Sequence, residues 1–400
     1  MTTNTLTIPR QARHAALPDL VDMLRQQADV RYDVVVPGGR LRSHGGLVHV
    51  QGGAARITDT GVEAADAVLA PNDVYDDGLS DRLGIPRKYL RRMRDDAVGL
   101  LDANVNHWLG DAPGKQWLVR GFRTDDPDQV GIARAFLSDH YRMLDNYDFL
   151  LGALDGVKAA GVDVQIDGAD LSDRRMVVRI VAPQVQALAP DLLGHYRRPW
   201  GPGQAPWETQ QGRDHGWIPP TEQPIVFAGL VLSNSEVGGG AWTIVPRVMV
   251  QVCRNGLVIT MDAMREVHLG GRLEAGVVRW SDTTQQKALD LVRAKTADAV
   301  RTFLDVDYVR RVIADLEADA ATPVPDPVPT VQRVAKAMSY TEGEANGILG
   351  HFLAAGQLTA GGVLGAVTSW AQEVGDPDRA YELEAGAFDA MTATLRAVRA

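Results

Sequence analysis

The hydrophobic period changes twice between residues 116 and 181, and this change constrains the fold more than any other feature of the sequence. Alternating apolar and polar residues are typical of strands, whereas apolar residues three and four apart are typical of a helix. The predicted order is strand, strand, helix, strand, strand, over residues 116–122, 131–137, 144–160, 162–166 and 175–181. This order predicts an α+β protein with a central antiparallel sheet and packed helices.

Turn and proline signals divide the chain into four predicted regions. The turn Asp111-Ala112-Pro113-Gly114 suggests a boundary, and the segment TPVPDPVPT reads as a semi-rigid linker that cannot be helical. Thr341 and Glu344 have the spacing of a capping box, which predicts a helical region after the linker. The regions are a small N-terminal α/β unit with a basic helix pair (1–114), an α+β core with a long loop at 183–224 (115–321), the Pro-rich linker (322–330) and an all-helical C-terminal region (331–400).

Composition excludes several classes of protein. Lys and Arg number 41 against 51 Asp and Glu, so the net charge is −10, which disfavours a protein that is basic overall but allows a local basic face. A single cysteine, Cys253, allows no intrachain disulfide and no zinc ribbon. The longest apolar run, 225–232, is too short to span a bilayer. We therefore expect a soluble protein of a reducing cytoplasm, with no membrane partner.

No motif in the sequence predicts a catalytic residue, a metal site or a cofactor. The nine histidines are scattered, and no pair has the spacing that places two ligands on one metal ion. The triple glycine of SNSEVGGGAW leads into a strand and lacks the spacing of a dinucleotide-binding loop.

The strongest local feature is LSDRLGIPRKYLRRMRDD, which begins at Leu79. A first helix meets Gly84, and Pro86 opens a second helix, as in a helix-turn-helix. Leu90 and Met93 are expected to face the core. The candidate phosphate-binding residues of the second helix are Arg87, Lys88, Arg91, Arg92 and Arg94. The alternative is an ordinary corner of two helices with a solvated basic face, partly offset by Asp95 and Asp96.

A second basic set lies on the predicted strands and on the long loop. Arg120 and Arg123 lie near the end of one strand, and the loop carries Trp200 and Trp217. Arginine interleaved with aromatic residues suits single-stranded nucleic acid, whose phosphates pair with arginine and whose bases stack. The alternative is that the tryptophans hold the loop against the body of the protein. Further members of this set are Arg134, Arg174, Arg175, Arg179, Arg197, Arg198 and Arg213.

A candidate loop site follows a predicted strand at SNSEVGGG. Asn234 and Glu236 lie on this loop, and Arg254 and Asn255 lie on the next turn. Polar residues on loops held by strands often form binding sites. The alternative is a flexible hairpin tip without function.

Several of these segments together resemble the uncharacterised phage/plasmid-like protein family, domain of unknown function 932. The resemblance is carried by SDRLGIPRKYLRRM, NVNHWL, FLSDHYRMLDNYDFL, GLVLSNSEVGGGA and VCRNGLV. The tail segments TEGEANGILGHF, GAVTSWAQEV and RAYELE are similar to the C-terminal extension of some members. Membership would imply a mobile-element role in a bacterial cytoplasm, but it supplies no established activity and no catalytic residues.

Three functional hypotheses follow from these features. The first is a non-enzymatic protein that binds or anneals single-stranded DNA during recombination or replication of a mobile element. The second is an interaction or structural protein that forms a homo-oligomer or engages a host factor, as the acidic helical tail suggests. The third is an enzyme with its site around Asn234 and Glu236.

Overall fold

Two large sheets and eleven helices form the part of the chain that the structure describes. The computed structural model describes residues 5–54, 56–58, 61–63, 65–123, 126, 129–141, 143–188, 210, 225–250, 255–258, 264–266, 276–277 and 282–399. The strands are β1 (Ala12–Ala15), β2 (Arg31–Pro37), β3 (Leu41–His44), β4 (Leu47–Val50), β5 (Arg56–Thr58), β6 (Gly61–Glu63), β7 (Ala67–Pro71), β8 (Gln116–Phe122), β9 (Gly131–Ser138), β10 (Gln165–Leu171), β11 (Met176–Leu188), β12 (Ile225–Asn234), β13 (Trp242–Val250), β14 (Asn255–Val258), β15 (Met264–Glu266) and β16 (Gly276–Val277). The helices are α1 (Leu17–Asp29), α2 (Asp73–Leu83), α3 (Arg87–Asp96), α4 (Val98–Asp111), α5 (Asn146–Ala160), α6 (Asp282–Phe303), α7 (Val306–Ala320), α8 (Pro327–Ala337), α9 (Glu342–Ala355), α10 (Ala360–Ala371) and α11 (Pro377–Arg399).

The first sheet is mixed and has the strand order β16-β2-β8-β9-β7-β4-β3. All of its pairs are antiparallel except β7 with β9. In the sequence, alternating apolar and polar residues on either side of Gly45-Gly46 predict a hairpin. The structure confirms it, because both glycines have a positive φ (59° and 77°) and join β3 to β4. Leu79, Leu90 and Leu101, from α2, α3 and α4, pack with strand residues in one core cluster. The mixed sheet thus holds the helix pair in place.

The second sheet is antiparallel, with the order β1-β10-β11-β12-β13-β14, and β15 also pairs with β13. Its apolar face packs on α5 and α6, through residues such as Phe149, Ile180, Leu230 and Val300. The predicted order of strand, strand, helix, strand, strand is present as β8, β9, α5, β10, β11. The first two of these strands belong to the mixed sheet and the last two to the antiparallel sheet.

The predicted boundary at residue 114 does not separate two sheets. β2, which precedes it, pairs with β8, which follows it, from Arg31 opposite Phe122 to Pro37 opposite Gln116. The turn at 111–114 therefore lies inside one folding unit, because strand pairing carries the sheet across it. β16 also joins this sheet by pairing with β2, so residues of the predicted core contribute to the N-terminal unit.

The loop predicted for 183–224 begins later than expected. β11 continues to Leu188, and a shift of register between Ala182 and Gln186 accommodates Pro183 within the strand. Proline cannot donate a ladder hydrogen bond, so a bulge is a position that tolerates it. The remaining residues of the predicted loop, apart from Gln210, lie outside the described residues.

The prediction that 322–330 is a non-helical linker is wrong for its second half. α8 begins at Pro327, and a proline in the first turn is tolerated because that N–H has no partner within the helix. The first half is anchored rather than extended into solvent. Val324 is buried, and its N–H donates to the carbonyl of Leu358 at 2.9 Å. This segment therefore packs into the helical region.

The C-terminal region is all helical, and the protein is an α+β protein, as the sequence predicted. The capping box is confirmed, since the Thr341 side chain accepts from the Glu344 N–H while the Glu344 carboxylate accepts from the Thr341 N–H. α11 lies against the antiparallel sheet, where the Arg179 guanidinium donates to the buried Glu384 carboxylate at 2.9 Å. Within the described residues no helix is both long enough and apolar enough to cross a membrane.

Candidate functional site

The helix pair predicted from the sequence is present. α2 ends at Gly84, which has a φ of 71° and so adopts the left-handed conformation that favours glycine. α3 begins directly after Pro86, and its buried residues are Leu90 and Met93, as predicted. The basic side chains of α3 therefore lie on the flanks and outer face of the helix.

Arg94 has a structural role in this pair. Its guanidinium binds both oxygens of the Asp76 carboxylate, at 2.5 and 2.6 Å, and donates to the carbonyl of Gly46 at 2.8 Å. These contacts tie α3 to α2 and to the β3–β4 hairpin. The prediction that Arg94 contacts phosphate is corrected, because its hydrogen-bonding edge is occupied by the protein itself.

Three arginines converge on a single carboxylate, that of Asp77 in α2. The Arg91 guanidinium lies 3.4 Å from Asp77, the Arg87 guanidinium lies 3.7 Å from it, and Arg174 donates to it directly. We call Arg87, Arg91 and Arg174 the arginine cluster. Asp77 is 9% exposed, whereas the three arginine side chains are 52%, 53% and 38% exposed. Only Arg87 has a second carboxylate partner in the described residues, Asp81 at 2.9 Å.

Arg174 brings the antiparallel sheet into the cluster. It lies in the turn between β10 and β11, where the Ser172 hydroxyl accepts from the N–H groups of Arg174 and Arg175, each at 3.0 Å. The Arg174 carbonyl accepts from the Ser235 hydroxyl at 2.6 Å. Both ends of this turn are therefore fixed, and the Arg174 side chain reaches across to α2. From the sequence, Arg174 is placed with the other strand arginines, and no sequence pattern indicates that it contacts α2.

Two further cations of α3 point outward. Lys88 is exposed, and Arg92, whose side chain is 80% exposed, has a loose ion pair with Asp96 at 3.8 Å. An exposed pair of this kind contributes little to stability, so its guanidinium can exchange partners at small cost.

The prediction that Arg120 binds nucleic acid is wrong. Its side chain is 1% exposed and binds both oxygens of Asp33, at 2.8 and 2.9 Å, and one oxygen of Asp145 at 2.5 Å. Burial alone would lower the pKa of Arg120, but Asp33 beside it raises the pKa above its ordinary value. Arg120 is therefore a permanently charged part of the interior.

The structure describes Arg123, but it does not describe the two candidate tryptophans. Arg123 is half-buried, lies over the Tyr32 ring at 4.9 Å and donates to the Asp66 carbonyl at 3.3 Å. It does not belong to the arginine cluster. Trp200 and Trp217 lie outside the described residues, so the predicted stacking on them stays a prediction.

The predicted loop site around Glu236 is part of the interior. Asn234 and Glu236 are 0% and 6% exposed, and only the three glycines at 238–240 are exposed at the tip of the loop. The Asn234 amide donates to the Leu144 carbonyl at 3.0 Å, and Glu236 accepts from Arg134 and from the Asn146 N–H. This corrects the prediction of an accessible site at Asn234 and Glu236.

The electrostatics of Glu236 explain how its charge is held in the interior. Burial raises the pKa of this carboxyl group, but the guanidinium groups of Arg134 and Arg120 outweigh burial and lower the pKa to about 2. The adjoining cavity has a volume of about 20 Å³, which is room for one water molecule and not for a substrate. Of the other two residues of this predicted site, Arg254 lies outside the described residues, and for Asn255 only the backbone, in β14, is described.

The described residues contain no group of three or more His, Cys, Asp or Glu side chains placed to hold a metal ion. No protein-family model, no curated protein and no solved structure matches this chain. The resemblance to the phage/plasmid-like family therefore stays a prediction from the sequence. Support for the candidate site comes from its geometry alone.

Proposed function

We propose that this protein binds nucleic acid through phosphate contacts made by the arginine cluster, with Lys88 and Arg92 extending the contact along α3. The observation that supports it best is the sharing of Asp77 by three guanidinium groups. Among the described residues, the five cationic side chains of this surface have three carboxylates as ion-pair partners, Asp77, Asp81 and Asp96. The charge that is left unmatched can be neutralised by phosphate.

The cluster has the geometry that phosphate recognition needs. Guanidinium groups present planar pairs of N–H donors that match phosphate oxygens. Asp77 is nearly buried, and it holds Arg91 and Arg174 close together before any ligand arrives. A preorganised cluster loses less side-chain entropy on binding than the same arginines would lose if each were free.

The phosphate contacts make the expected binding strongly dependent on salt. Each phosphate that is neutralised releases counterions, so affinity falls linearly on a logarithmic scale with salt concentration. Repulsion from the rest of the anionic molecule opposes the local attraction at long range. We therefore expect binding at low ionic strength that weakens steeply towards physiological salt.

Fluorescence anisotropy with a labelled single-stranded oligonucleotide, from about 50 to 200 mM salt, tests the proposal. The double variant Arg91→Ala/Arg174→Ala should bind at least about tenfold more weakly at low salt, because hydrogen bonds to charged groups contribute about 1.5–3 kcal/mol each. The slope of log affinity against log salt should become smaller by about 1.4, since about 0.7 is lost for each phosphate contact on a single strand.

The matched control is Arg301→Ala/Arg310→Ala. These side chains are 58% and 66% exposed, and each pairs with an aspartate three residues earlier, yet both lie on helices away from the cluster. The control should bind like the wild type. An equal loss of affinity in the two double variants would contradict a phosphate site at the cluster. Binding by the wild type that does not change with salt would contradict it as well.

We also propose, on the sequence resemblance alone, that the setting of this activity is a mobile element such as a phage or plasmid. Binding or annealing of strands during recombination or replication would use the same phosphate contacts. An annealing assay with two complementary oligonucleotides separates these roles, because a protein that only binds will not accelerate duplex formation.

A further inference from the structure

A tyrosine stands on the basic surface of α3. Tyr89 is 43% exposed, whereas its neighbour Leu90 is fully buried in the core beneath the helix. Lys88 precedes Tyr89, and Arg92 follows it by three residues, which places Arg92 beside it on the helix surface. An exposed aromatic ring thus has one exposed cation, Arg92, beside it on the helix surface and a second, Lys88, next to it along the chain.

We propose that Tyr89 stacks on a nucleobase and that the ligand of this surface is therefore single-stranded nucleic acid. This inference rests on the proposed function and names its substrate class. The bases of a duplex are stacked on each other and offer no free face to a surface side chain. The bases of a single strand do offer one, and an aromatic ring beside cations can take the base while the cations take its phosphates.

Trp108 shows why exposure of an aromatic ring alone does not make a stacking site. It is 44% exposed, nearly the same as Tyr89, and it lies on the neighbouring helix α4. Its indole N–H donates to Asn104 at 3.1 Å, and its ring meets that of His107 edge to face. The residues of α4 include no Lys or Arg, so no cation of this helix would hold a phosphate beside the ring.

The test compares the affinities of four proteins for a single strand and for a duplex of the same sequence at low salt. The proteins are the wild type, Tyr89→Ala, Tyr89→Phe and Trp108→Ala. Tyr89→Ala should weaken single-strand binding about 5- to 150-fold, the range expected for loss of one stacked base. Duplex binding should change by less than about twofold, because phosphate contacts alone support it.

The two other variants test whether the Tyr89 hydroxyl group, or any exposed aromatic ring, would give the same effect as stacking by Tyr89. Tyr89→Phe should bind single strands like the wild type, because stacking needs the ring and not the hydroxyl group. Trp108→Ala should also bind like the wild type. Thermal unfolding of each variant confirms that it folds, and Tyr89→Phe provides a folded reference with the ring in place.

The outcomes distinguish this inference from the proposed function. Equal weakening of single-strand and duplex binding by Tyr89→Ala, or no weakening of either, would overturn the stacking role while the phosphate site stands. If Trp108→Ala weakened single-strand binding as much as Tyr89→Ala, the stacking role of Tyr89 would also be overturned. A wild type that binds neither ligand would overturn both the stacking role and the proposed function.

Discussion

Arginine has two different roles in two regions of this protein. In the buried arginine network, which consists of Arg120, Arg134, Asp33, Asp145 and Glu236, the two arginines are 1% and 5% exposed. The partly exposed Arg31 also pairs with Asp33 and Asp145 at the edge of this network. In the arginine cluster, three guanidinium groups share Asp77 and are a third to a half exposed.

The cause of this difference is solvation. A charge in the interior must be compensated by partners, because water does not reach it, so every guanidinium of the network is committed to the fold. A charge at the surface is solvated, and it can exchange water or a weak partner for a ligand. Exposure and partner count therefore separate structural arginines from candidate binding arginines better than sequence clustering does.

The largest effect should come from breaking the buried arginine network. Arg120 lies on β8 of the mixed sheet and donates to the Glu236 carbonyl, in the loop after β12 of the antiparallel sheet, at 2.6 Å. Arg120→Ala leaves the buried Asp33 carboxylate with only a 3.7 Å contact to Arg31, and it leaves the partly buried Asp145 with Arg31 as its partner. We expect the free energy of unfolding to fall by about 3–5 kcal/mol, measured by urea denaturation.

Arg310→Ala is the control for that measurement. It removes an exposed arginine with one carboxylate partner and should change the free energy of unfolding by less than about 0.5 kcal/mol. If Arg120→Ala cost no more than this control, the network would not hold the two sheets together, and the distinction between the two regions would fail.

A second prediction concerns the pH dependence of the network. The folded-state pKa of Glu236 is lowered from 4.5 to about 2, so the carboxylate stabilises the fold fully above its ordinary pKa. This contribution is lost as the pH falls from about 5 towards 2, because the unfolded state then binds the proton more readily. Stability should therefore decline across this interval.

Glu236→Gln isolates this contribution. The variant should be less stable than the wild type at neutral pH, because Arg134 loses its ionic partner, and its stability should decline less steeply between about pH 5 and 2. Denaturant unfolding at a series of pH values measures both curves. Parallel curves for the two proteins would show that another carboxylate governs the acid transition.

Local signals predicted the local structure well. Gly84 and Pro86 predicted the turn between α2 and α3, Gly45-Gly46 predicted a hairpin, and Thr341 with Glu344 predicted a helix start. Each of these signals acts within a few residues along the chain. The division of the strands between two sheets was not predicted, since the pairing of β2 with β8 depends on contacts far apart in the sequence.

The candidate site was predicted only in part for the same reason. Arg87 and Arg91 were found because they recur at helical spacing, but Arg174 reaches Asp77 from 97 residues away. Arg120 was misassigned because its partner Asp33 lies 87 residues away. Periodicity reports which residues share a face of one element, and it cannot report which carboxylate another element brings to that face.

The smallest expected effect on stability concerns Arg92, an exposed arginine of the proposed binding surface. Arg92 is 80% exposed, and its 3.8 Å pair with Asp96 is solvated, so Arg92→Ala should change the free energy of unfolding by less than about 0.5 kcal/mol. The slope of log affinity against log salt for a single strand should nevertheless become smaller by about 0.7, the value for one phosphate contact. Denaturant unfolding and anisotropy on the same preparation measure the two quantities. A variant that loses stability without a change in slope would place Arg92 with the structural arginines, and the binding surface would then shrink to the arginine cluster and Lys88.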